Sequence, residues 1–228
     1  ESAIADLIID FETALPPHIK LAYLPNFGQV RLRLTGSDKD PAMLTNDINR
    51  LFRQLQQLLK DFIISDKDAS MESIVGELLL QKNKTMATAE SCTGGYIAHL
   101  ITTMPGSSDF YNGSIVSYSN EAKEKLLAVE ASIINTKGAV SEEVVIRMLS
   151  GVLMKMNADY GVAVSGIMGP DGGSDEKPVG TVWIAAGSKE QVRTKKFHFR
   201  FDRQRNIQVT AINALNLLRE CIAGPGDK

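Results

Sequence analysis

The stretch Ala87-Thr-Ala-Glu-Ser-Cys-Thr-Gly-Gly95 decides how the sequence around it folds. It completes a short strand predicted over residues 86–89, and its polar, glycine-ended run marks the strand exit, just before a helix predicted over 96–103. The same alternation continues along the chain, with strands predicted over 113–118, 160–165, 180–186 and 191–199 and helices over 121–128, 142–156 and 206–222. Strands interleaved with helices predict an α/β fold, a three-layer sandwich with a mixed, mostly covered sheet.

The first 70 residues have a different pattern. Apolar residues alternate with polar ones over 19–23 and 30–34, which predicts two half-buried strands. Over residues 42–63 the apolar residues recur with a period near 3.6, which predicts a helix, and Asp40 before Pro41 is typical of a helix start. We therefore predict two domains: a small α+β domain with its linker over residues 1–70, and the α/β domain over residues 71–228.

Composition narrows the class of protein. A hydrophobic fraction of 43% and a charged fraction of 23% are ordinary for a chain that buries a core. The formal charge of −2 gives no electrostatic reason to expect nucleic acid or an anionic membrane as a partner. The chain has neither an apolar run of about 20 residues nor a cationic leader, and its two cysteines fit a reducing compartment. We expect a cytoplasmic protein with free thiols.

The polar run at the strand exit offers reactive groups. Hydroxyl side chains beside glycine-freed backbone can supply a nucleophile, a set of N–H donors, or both. Histidines 18, 99 and 198 are scattered at helix or strand positions, so no histidine is placed to activate a serine, and no cluster has metal-ligand spacing. The alternative base is a lysine whose pKa is lowered. Lys123 is the candidate, because a first-turn position near the positive end of a helix disfavours a protonated amine.

Each of these residues also has a simpler interpretation. Taken alone, Lys123 is more typical of a solvated helix lysine than of a base, and Ser107 and Ser108 after Pro105-Gly106 are good turn and capping residues. Cys92 is a rival nucleophile, although a thiol beside a strand exit is more often simply buried. The glycine-rich run from Ser165 to Ser174 follows a buried strand, where α/β sheets bind ligands, but such a run is also a common surface turn.

Several motifs together carry a resemblance to a known family. The runs Glu90-Ser-Cys-Thr-Gly-Gly95, Gly106-Ser-Ser108 and Tyr118-Ser-Asn-Glu-Ala-Lys123, with the segment from Ser165 through Lys177-Pro-Val-Gly-Thr-Val-Trp183, resemble the C-terminal domain of the CinA (competence/damage-inducible protein) family. That domain is known as a nicotinamide mononucleotide deamidase. The resemblance is dense over residues 75–222. Residues 1–70 resemble, more loosely, the KH-like middle domain of the same family.

The resemblance implies catalytic roles for Ser91, Ser108, Tyr118 and Lys123. We expect Ser108 to be the nucleophile and Lys123 the general base. Ser91, with the backbone N–H groups around Thr93, Gly94 and Gly95, is then expected to orient the substrate and stabilise the oxyanion.

Substrate contacts are implied in two further segments. The glycine-rich run places Gly166, Gly169, Asp171 and Gly172 where backbone N–H groups approach an anion. Asp202-Arg203 resembles the family's Gly-Asp-Arg segment, so Arg203 is expected to contact the 5′-phosphate. The match departs from the pattern here: Phe201 replaces a glycine, and Gln208 stands where an arginine is common. Arg205 is therefore expected to substitute for that arginine.

The function implied by the resemblance is an amidohydrolase that converts nicotinamide mononucleotide to nicotinate mononucleotide and ammonia, without a metal or cofactor. The alternative is an inactive nucleotide-binding regulatory module linked to competence or DNA damage. An interaction domain for DNA uptake lacks a supporting basic patch, and the KH-like segment has no Gly-x-x-Gly loop for RNA. The family also implies a homodimer and, in the full-length protein, a preceding pyrophosphatase-like domain.

Overall fold

The computed structural model describes residues 2–26 and 28–224, and the chain divides into two compact units between Asp68 and Ala69. The first unit contains helices α1 (Ser2–Leu7) and α2 (Ile9–Thr13), the antiparallel hairpin β1 (Ile19–Asn26) and β2 (Gln29–Gly36), and helix α3 (Pro41–Leu58). The Asp40 carboxylate accepts hydrogen bonds from the backbone of Ala42 and Met43, which caps α3. A small core of Ile8, Leu55 and Leu59 lies against the apolar side of the hairpin.

The second unit is an α/β domain whose elements run in the order α4 (Met71–Gln81), β3 (Met86–Glu90), α5 (Tyr96–Thr102), a 3-10 turn (Ser107–Asp109), β4 (Tyr111–Val116), α6 (Asn120–Leu127), α7 (Ala131–Lys137), α8 (Glu142–Lys155), β5 (Tyr160–Gly166), β6 (Thr181–Gly187), β7 (Val192–His198) and α9 (Arg203–Ala223). The strand order is β4-β3-β5-β6-β7. Strands β4, β3 and β5 are parallel, and β6 and β7 continue the sheet antiparallel.

Helices cover both faces of this sheet. Helices α4, α5 and α9 pack together on one face, and α6, α7 and α8 pack on the other. The centre of the core is α8, whose buried side chains, among them Val145, Met148 and Val152, lie on the alanines of β3, β5 and β6. Short alanine side chains let the helix approach the sheet closely. The predicted fold class, a three-layer sandwich with a mixed, mostly covered sheet after a small α+β region, is confirmed.

Several elements differ from the sequence-based expectation. Helix α3 ends at Leu58 rather than at residue 63, and α9 begins at Arg203 rather than at residue 206. Residues 131–137 form α7, although their polar and β-branched residues give a weak helix signal. Burial of Ile134 beside α8 stabilises this short helix. Strand β4 ends at Val116 rather than at residue 118, because the Ser119 hydroxyl caps α6 by accepting from the Ala122 backbone N–H. Tyr118 therefore lies beyond the sheet, in the connection.

The parallel strands set the position of the polar motifs. The carboxyl ends of β3, β4 and β5 lie at one edge of the sheet, where Glu90 pairs with Val116 on one side and Val164 on the other. The runs that begin at Ser91, Ser117 and Ile167 follow these three ends, at the edge where open α/β sheets bind ligands. Within the described ranges, no helix combines the length and apolar character needed to cross a bilayer.

The second unit is expected to fold alone. All five strands of its sheet and both helical layers come from residues after Ala69. A fragment of residues 69–228 should give a helix-containing circular dichroism spectrum and a single cooperative thermal transition. A fragment that is soluble but melts without cooperativity, while the whole chain melts cooperatively, would contradict the two-unit division.

Candidate active site

Ser91 and Lys123 form a buried pair at the carboxyl edge of the sheet. Ser91 directly follows β3, and its backbone N–H donates to Val164 O (3.1 Å), so the strand pairing with β5 continues through it. Lys123 lies in the first turns of α6, after the connection from β4. Its Nζ is 2.9 Å from Ser91 Oγ, and the two residues are only 2% and 7% exposed, respectively. The pair has the geometry of a nucleophile and its base.

The other contacts of Lys123 orient its amine. Nζ donates to Ser117 O (2.8 Å) and lies 3.5 Å from Tyr118 O. Carbonyl oxygens only accept, so these two contacts use N–H bonds and leave the remaining position of nitrogen for Ser91. Burial lowers the pKa of Lys123 below its ordinary value. A neutral amine in this position directs its lone pair at the Ser91 hydroxyl and can take its proton.

This geometry corrects the expected pairing of Ser108 with Lys123. Ser108 is exposed and lies in the 3-10 turn that precedes β4, so it is at the amino end of that strand, whereas Lys123 follows the carboxyl end. The six residues of β4 span about 20 Å at ~3.3 Å each. Within one chain, the base therefore faces Ser91 and not Ser108. Sequence spacing did not show this, because both serines fall in motifs of the same family.

Cys92 is the third candidate nucleophile and is unsuited to the role. It is buried, and burial raises the pKa of its thiol to about 12. A thiol is a useful nucleophile only as the thiolate. Cys92 is therefore a protonated core residue near neutral pH.

The carboxylate of Glu90 organises the loop that carries Ser91. Glu90 is fully buried at the end of β3. Its Oε2 accepts from Thr93 Oγ1 (2.7 Å) and from the backbone N–H groups of Gly95 (3.1 Å) and Ile97 (3.0 Å). Its Oε1 accepts from the Ala98 N–H at 2.8 Å, with the hydroxyls of Thr88 and Ser114 at 3.3 and 3.4 Å. The sequence contains a signal for this role of Glu90, because a single carboxylate at the end of a buried strand needs hydrogen-bond donors around it.

These bonds change the expected role of the glycine backbone. The Gly95 N–H is bound to Glu90, and the Gly94 N–H donates to Ser91 O at 3.2 Å. Both glycines have positive φ, +62° and +97°, so their part is to let the loop turn. The Thr93 N–H has no hydrogen bond among the described residues. The structure thus leaves Thr93, rather than Gly94 or Gly95, as a possible oxyanion donor.

Arg203 joins two of the predicted segments. Its Nη1 donates to Gly169 O (2.8 Å), and its Nη2 donates to the Tyr118 hydroxyl (3.3 Å). Tyr118 is 65% exposed, so this hydroxyl contact lies at the open side of the site. A guanidinium has five N–H donors, and two are used here. Three N–H donors of the exposed Arg203 guanidinium thus have no partner among the described residues, and Tyr118 contacts both Arg203 and Lys123.

Asn206, which sequence reasoning missed, fixes the loops around Arg203. It is fully buried in the first turn of α9. Its Nδ2 donates to Met168 O (3.1 Å) and Phe201 O (3.0 Å), and its Oδ1 accepts from the Phe201 N–H at 3.3 Å. The side chain thereby connects the glycine-rich segment to the segment before α9. The available signal was an asparagine on the same helix face as Thr210 and Ala214, which are buried.

The other residues that were expected to contact the substrate do not lie together in one site. Gly166 pairs with Val182 in the sheet, and a Cβ there would meet Val182 and Thr181, so its role is in packing. Asp171 and Gly172 are exposed in the loop between β5 and β6. Arg205 is also exposed, and its backbone N–H donates to the capping carboxylate of Asp202.

A cleft of about 400 Å³ lies between α5 and α9, and neither Ser91 nor Lys123 is among its lining residues. Residues 93–96 and His99 line it on the α5 side, and Gln204, Ile207 and Gln208 line it on the α9 side. A depression of about 510 Å³ on α3 has only Arg53, Gln56, Gln57 and Lys60 along it and none of the reactive groups above. Among the residues that the structure describes, no group of three or more His, Cys, Asp or Glu side chains is placed to hold a metal ion.

Comparison with known proteins gives consistent results along most of the chain. Residues 68–222 match the model of the CinA C-terminal domain, and residues 1–65 match that of the damage-inducible protein CinA KH domain. A CinA-like protein of Cytophaga hutchinsonii is 46% identical over 219 residues, which is 96% of this chain and 52% of that protein. A putative competence-damage inducible protein of Halothermothrix orenii is 38% identical over 219 residues, again 96% and 52%. The chain spans about half the length of these relatives.

Two solved structures of CinA proteins are also similar to this chain. A competence-damaged protein (CinA) superfamily protein of Klebsiella pneumoniae is 35% identical, with a TM-score of 0.65 over 67% of this chain and 96% of its own. A competence/damage inducible protein of Agrobacterium tumefaciens is 34% identical, with a TM-score of 0.62 over 68% of this chain and 97% of its own.

Glu90→Gln should destabilise the second unit strongly. The amide keeps one accepting oxygen and turns an NH₂ group toward N–H and O–H donors, so buried donors lose their partners. We expect the free energy of unfolding in urea to fall by about 3 kcal/mol. Glu77→Gln, on the exposed side of α4, is the matched control and should change it by less than about 0.5 kcal/mol. Equal stability of the two variants would refute the organising role of Glu90.

Proposed function

The chain belongs to the CinA family, and from this premise we propose that its second unit hydrolyses the carboxamide of nicotinamide mononucleotide, releasing ammonia and nicotinate mononucleotide. One observation carries the proposal: Lys123 Nζ lies 2.9 Å from Ser91 Oγ in a buried environment that lowers the pKa of the amine. A serine activated in this way suits acyl transfer from an amide. The family resemblance supports the choice of reaction, and the geometry of the site supports the choice of Ser91 and Lys123 as the residues that perform it.

In the first half-reaction, Ser91 Oγ attacks the carboxamide carbon while its proton moves to Lys123 Nζ. In this scheme the tetrahedral oxyanion accepts a hydrogen bond from the free backbone N–H of Thr93. When the intermediate collapses, the C–N bond breaks and Lys123 returns the proton to the leaving nitrogen. Ammonia departs, and the nicotinoyl group remains as an ester on Ser91.

The second half-reaction uses water in place of Ser91. Neutral Lys123 takes a proton from the water, whose oxygen attacks the ester carbon. Collapse of this intermediate breaks the ester bond, and Lys123 returns the proton to Ser91 Oγ. The product carboxylic acid ionises on release. The Lys123 amine thus acts first as a base and then as an acid in each half-reaction, and no group is oxidised or reduced.

Arg203 is the group that we assign to the substrate phosphate. Two of its five donors bind Gly169 O and the Tyr118 hydroxyl, which holds the guanidinium in place and leaves three donors without a partner among the described residues. A charge-assisted contact between guanidinium and phosphate is strong and directional. Tyr118 has a positioning role in this scheme, because its backbone contacts Lys123 and its hydroxyl contacts Arg203.

The two serines give opposite expectations. Ser91→Ala should lower kcat for ammonia release by about 10⁴-fold or more, since the nucleophile is lost. Ser108→Ala is the matched control and should leave kcat unchanged, because that hydroxyl is at the other end of β4. Mass spectrometry of enzyme quenched during turnover should find the nicotinoyl adduct on the peptide containing Ser91. An adduct on Ser108 would restore the sequence-based assignment and reject this one.

Lys123 determines the pH dependence. The neutral amine is the active form, and its folded-state pKa is lowered, so kcat/KM should rise with pH and level off below pH ~10.4, the value for a free lysine. Lys123→Met should remove the rising limb and about 10²–10⁴ of the rate. Lys123→Arg should not restore activity, because arginine remains protonated. An unchanged pH profile in Lys123→Met would exclude the lysine base.

Chelation tests whether the mechanism needs a metal. Every group assigned above is a hydroxyl, an amine, a guanidinium or a backbone N–H. Ammonia release should therefore persist after exhaustive dialysis against EDTA. Loss of activity that added zinc or magnesium restores would refute the serine–lysine mechanism. Absence of ammonia release in untreated protein, with the mononucleotide still bound, would favour the inactive regulatory module instead.

A further inference from the structure

The hydroxyl of Ser117 is a buried polar group beside the base that the mechanism above does not use. Ser117 directly follows β4 and is fully buried. Its backbone carbonyl accepts from Lys123 Nζ at 2.8 Å, and its backbone N–H donates to Glu90 O at 2.8 Å. Among the fully buried side-chain oxygens and nitrogens of residues 2–26 and 28–224, Ser117 Oγ is the one without a hydrogen-bond partner. The residue that holds the base through its backbone therefore also carries an unbound hydroxyl.

Strand geometry directs this hydroxyl to the side of the sheet on which Lys123 lies. Ala89 pairs with Ile115, and both lie in the core against α8. Side chains two positions apart on a strand point to the same face, and the N–H groups of Ser91 and Ser117 continue the strand pairing by one residue. Ser91 and Ser117 are therefore neighbours on adjacent strands, with their side chains on the α8 face. Helix α6, which carries Lys123, packs against α8 on this face.

A buried hydroxyl without a partner lowers the stability of a protein. Burial removes its hydrogen bonds to water, and an alanine of nearly the same shape would avoid that loss. Ser141 shows how a buried serine is ordinarily satisfied: its Oγ donates to Gly138 O at 2.9 Å and accepts from the Val144 N–H at 3.4 Å. Ser117 differs from it, which indicates a partner that binds during the reaction.

The second half-reaction brings such a partner to the site. The water that attacks the ester on Ser91 must lie close to the ester carbon and to Lys123 Nζ, which takes its proton. The N–H groups of this amine contact Ser117 O and Tyr118 O, so its lone pair is available to the water. A second hydrogen bond, between the water and Ser117 Oγ, would fix how the water is turned toward the ester carbon.

We propose that Ser117 is a positioning residue for hydrolysis of the acyl-enzyme, with its hydroxyl holding the attacking water beside Lys123. The inference rests on the proposed function for the two-step course of the reaction. The water gives a proton to Lys123 Nζ while its oxygen bonds to the ester carbon. The bond from that carbon to Ser91 Oγ then breaks, and Lys123 returns the proton to Ser91 Oγ. Ser117 neither gains nor loses a proton, and it acts in the second half-reaction only.

The test measures the two half-reactions separately in Ser117→Ala and in the unsubstituted protein. The probe p-nitrophenyl acetate acylates activated serines in general, so the rate at which it acetylates Ser91 reports the first half-reaction. Decay of the acetyl ester, followed by mass spectrometry of quenched samples, reports the second. Ser117→Ala should be acetylated at an unchanged rate and should lose the acetyl group about 10- to 100-fold more slowly, the effect of one lost hydrogen bond to the water.

The mononucleotide gives a second measurement. The ratio kcat/KM includes only the steps through the departure of ammonia, so Ser117→Ala should leave it unchanged. A residue that only supports the structure of the site would affect both half-reactions. Slower acetylation of Ser117→Ala, a lower kcat/KM, or an unchanged rate of ester decay would each overturn the assignment.

Ser141→Ala is the matched control, because its buried hydroxyl has partners within the protein. It should lower the midpoint of urea unfolding and change neither the rate of acetylation nor the rate of ester decay. Ser117→Ala should leave the midpoint unchanged or raise it, since it removes an unbound hydroxyl. A lower midpoint for Ser117→Ala would show that the hydroxyl is bound within the protein, which also contradicts the assignment.

The two probes separate this assignment from the proposed function. If the acetyl ester decays slowly in Ser117→Ala while the unsubstituted protein releases no ammonia from the mononucleotide, Ser117 keeps its role and the proposed substrate is rejected. If ammonia is released and Ser117→Ala leaves ester decay unchanged, the function stands and the role of Ser117 is rejected. An unsubstituted protein that neither compound acylates at Ser91 would overturn both.

Discussion

The buried carboxylate of Glu90 is the interaction on which the rest of the site depends. A charged group at the end of a strand buried on both faces is tolerated only when hydrogen bonds replace its water. Here the loop after the strand supplies them: Thr93, Gly95 and the first turn of α5 all donate to it. The loop is thereby folded back over the carboxylate, and the Ser91 backbone is held within the sheet. Burial of one charge thus determines the conformation of the segment that carries the nucleophile.

Burial acts in the opposite sense on Lys123. Removal of water disfavours its protonated form, and no carboxylate lies within salt-bridge distance among the described residues to offset this. Two carbonyl oxygens and Ser91 Oγ are the groups that it contacts. These neutral partners solvate the amine without fixing a proton on it. Burial therefore has a different effect on each residue. Glu90 is held rigidly by the groups that donate hydrogen bonds to it, whereas Lys123 has no counter-charge to stabilise its protonated form and so remains reactive.

The opposite side of the site is built from loops that one helix holds together. The start of α9 contributes Arg203, which reaches Gly169 O, and Asn206, which reaches Met168 O and both backbone groups of Phe201. These hydrogen bonds connect the glycine-rich segment after β5 to the segment before α9. The Arg203 guanidinium therefore has a defined position although it lies on an exposed segment. Loops usually carry ligand contacts, and a rigid element usually positions them. In this chain a buried asparagine makes that connection.

The sequence by itself determined the order and type of most of the elements, the cap at Asp40, the change of pattern near residue 70, and the reactive residue types. These features depend on local periodicity, and neighbouring residues encode them. The pairing of Ser91 with Lys123, the use of the Gly95 N–H by Glu90, and the bridging role of Asn206 were decided by tertiary structure. Ser108 and Ser91 differ by only 17 positions, but a parallel sheet sends them to opposite ends of its strands. Sequence motifs list reactive groups, and strand direction decides which of them meet.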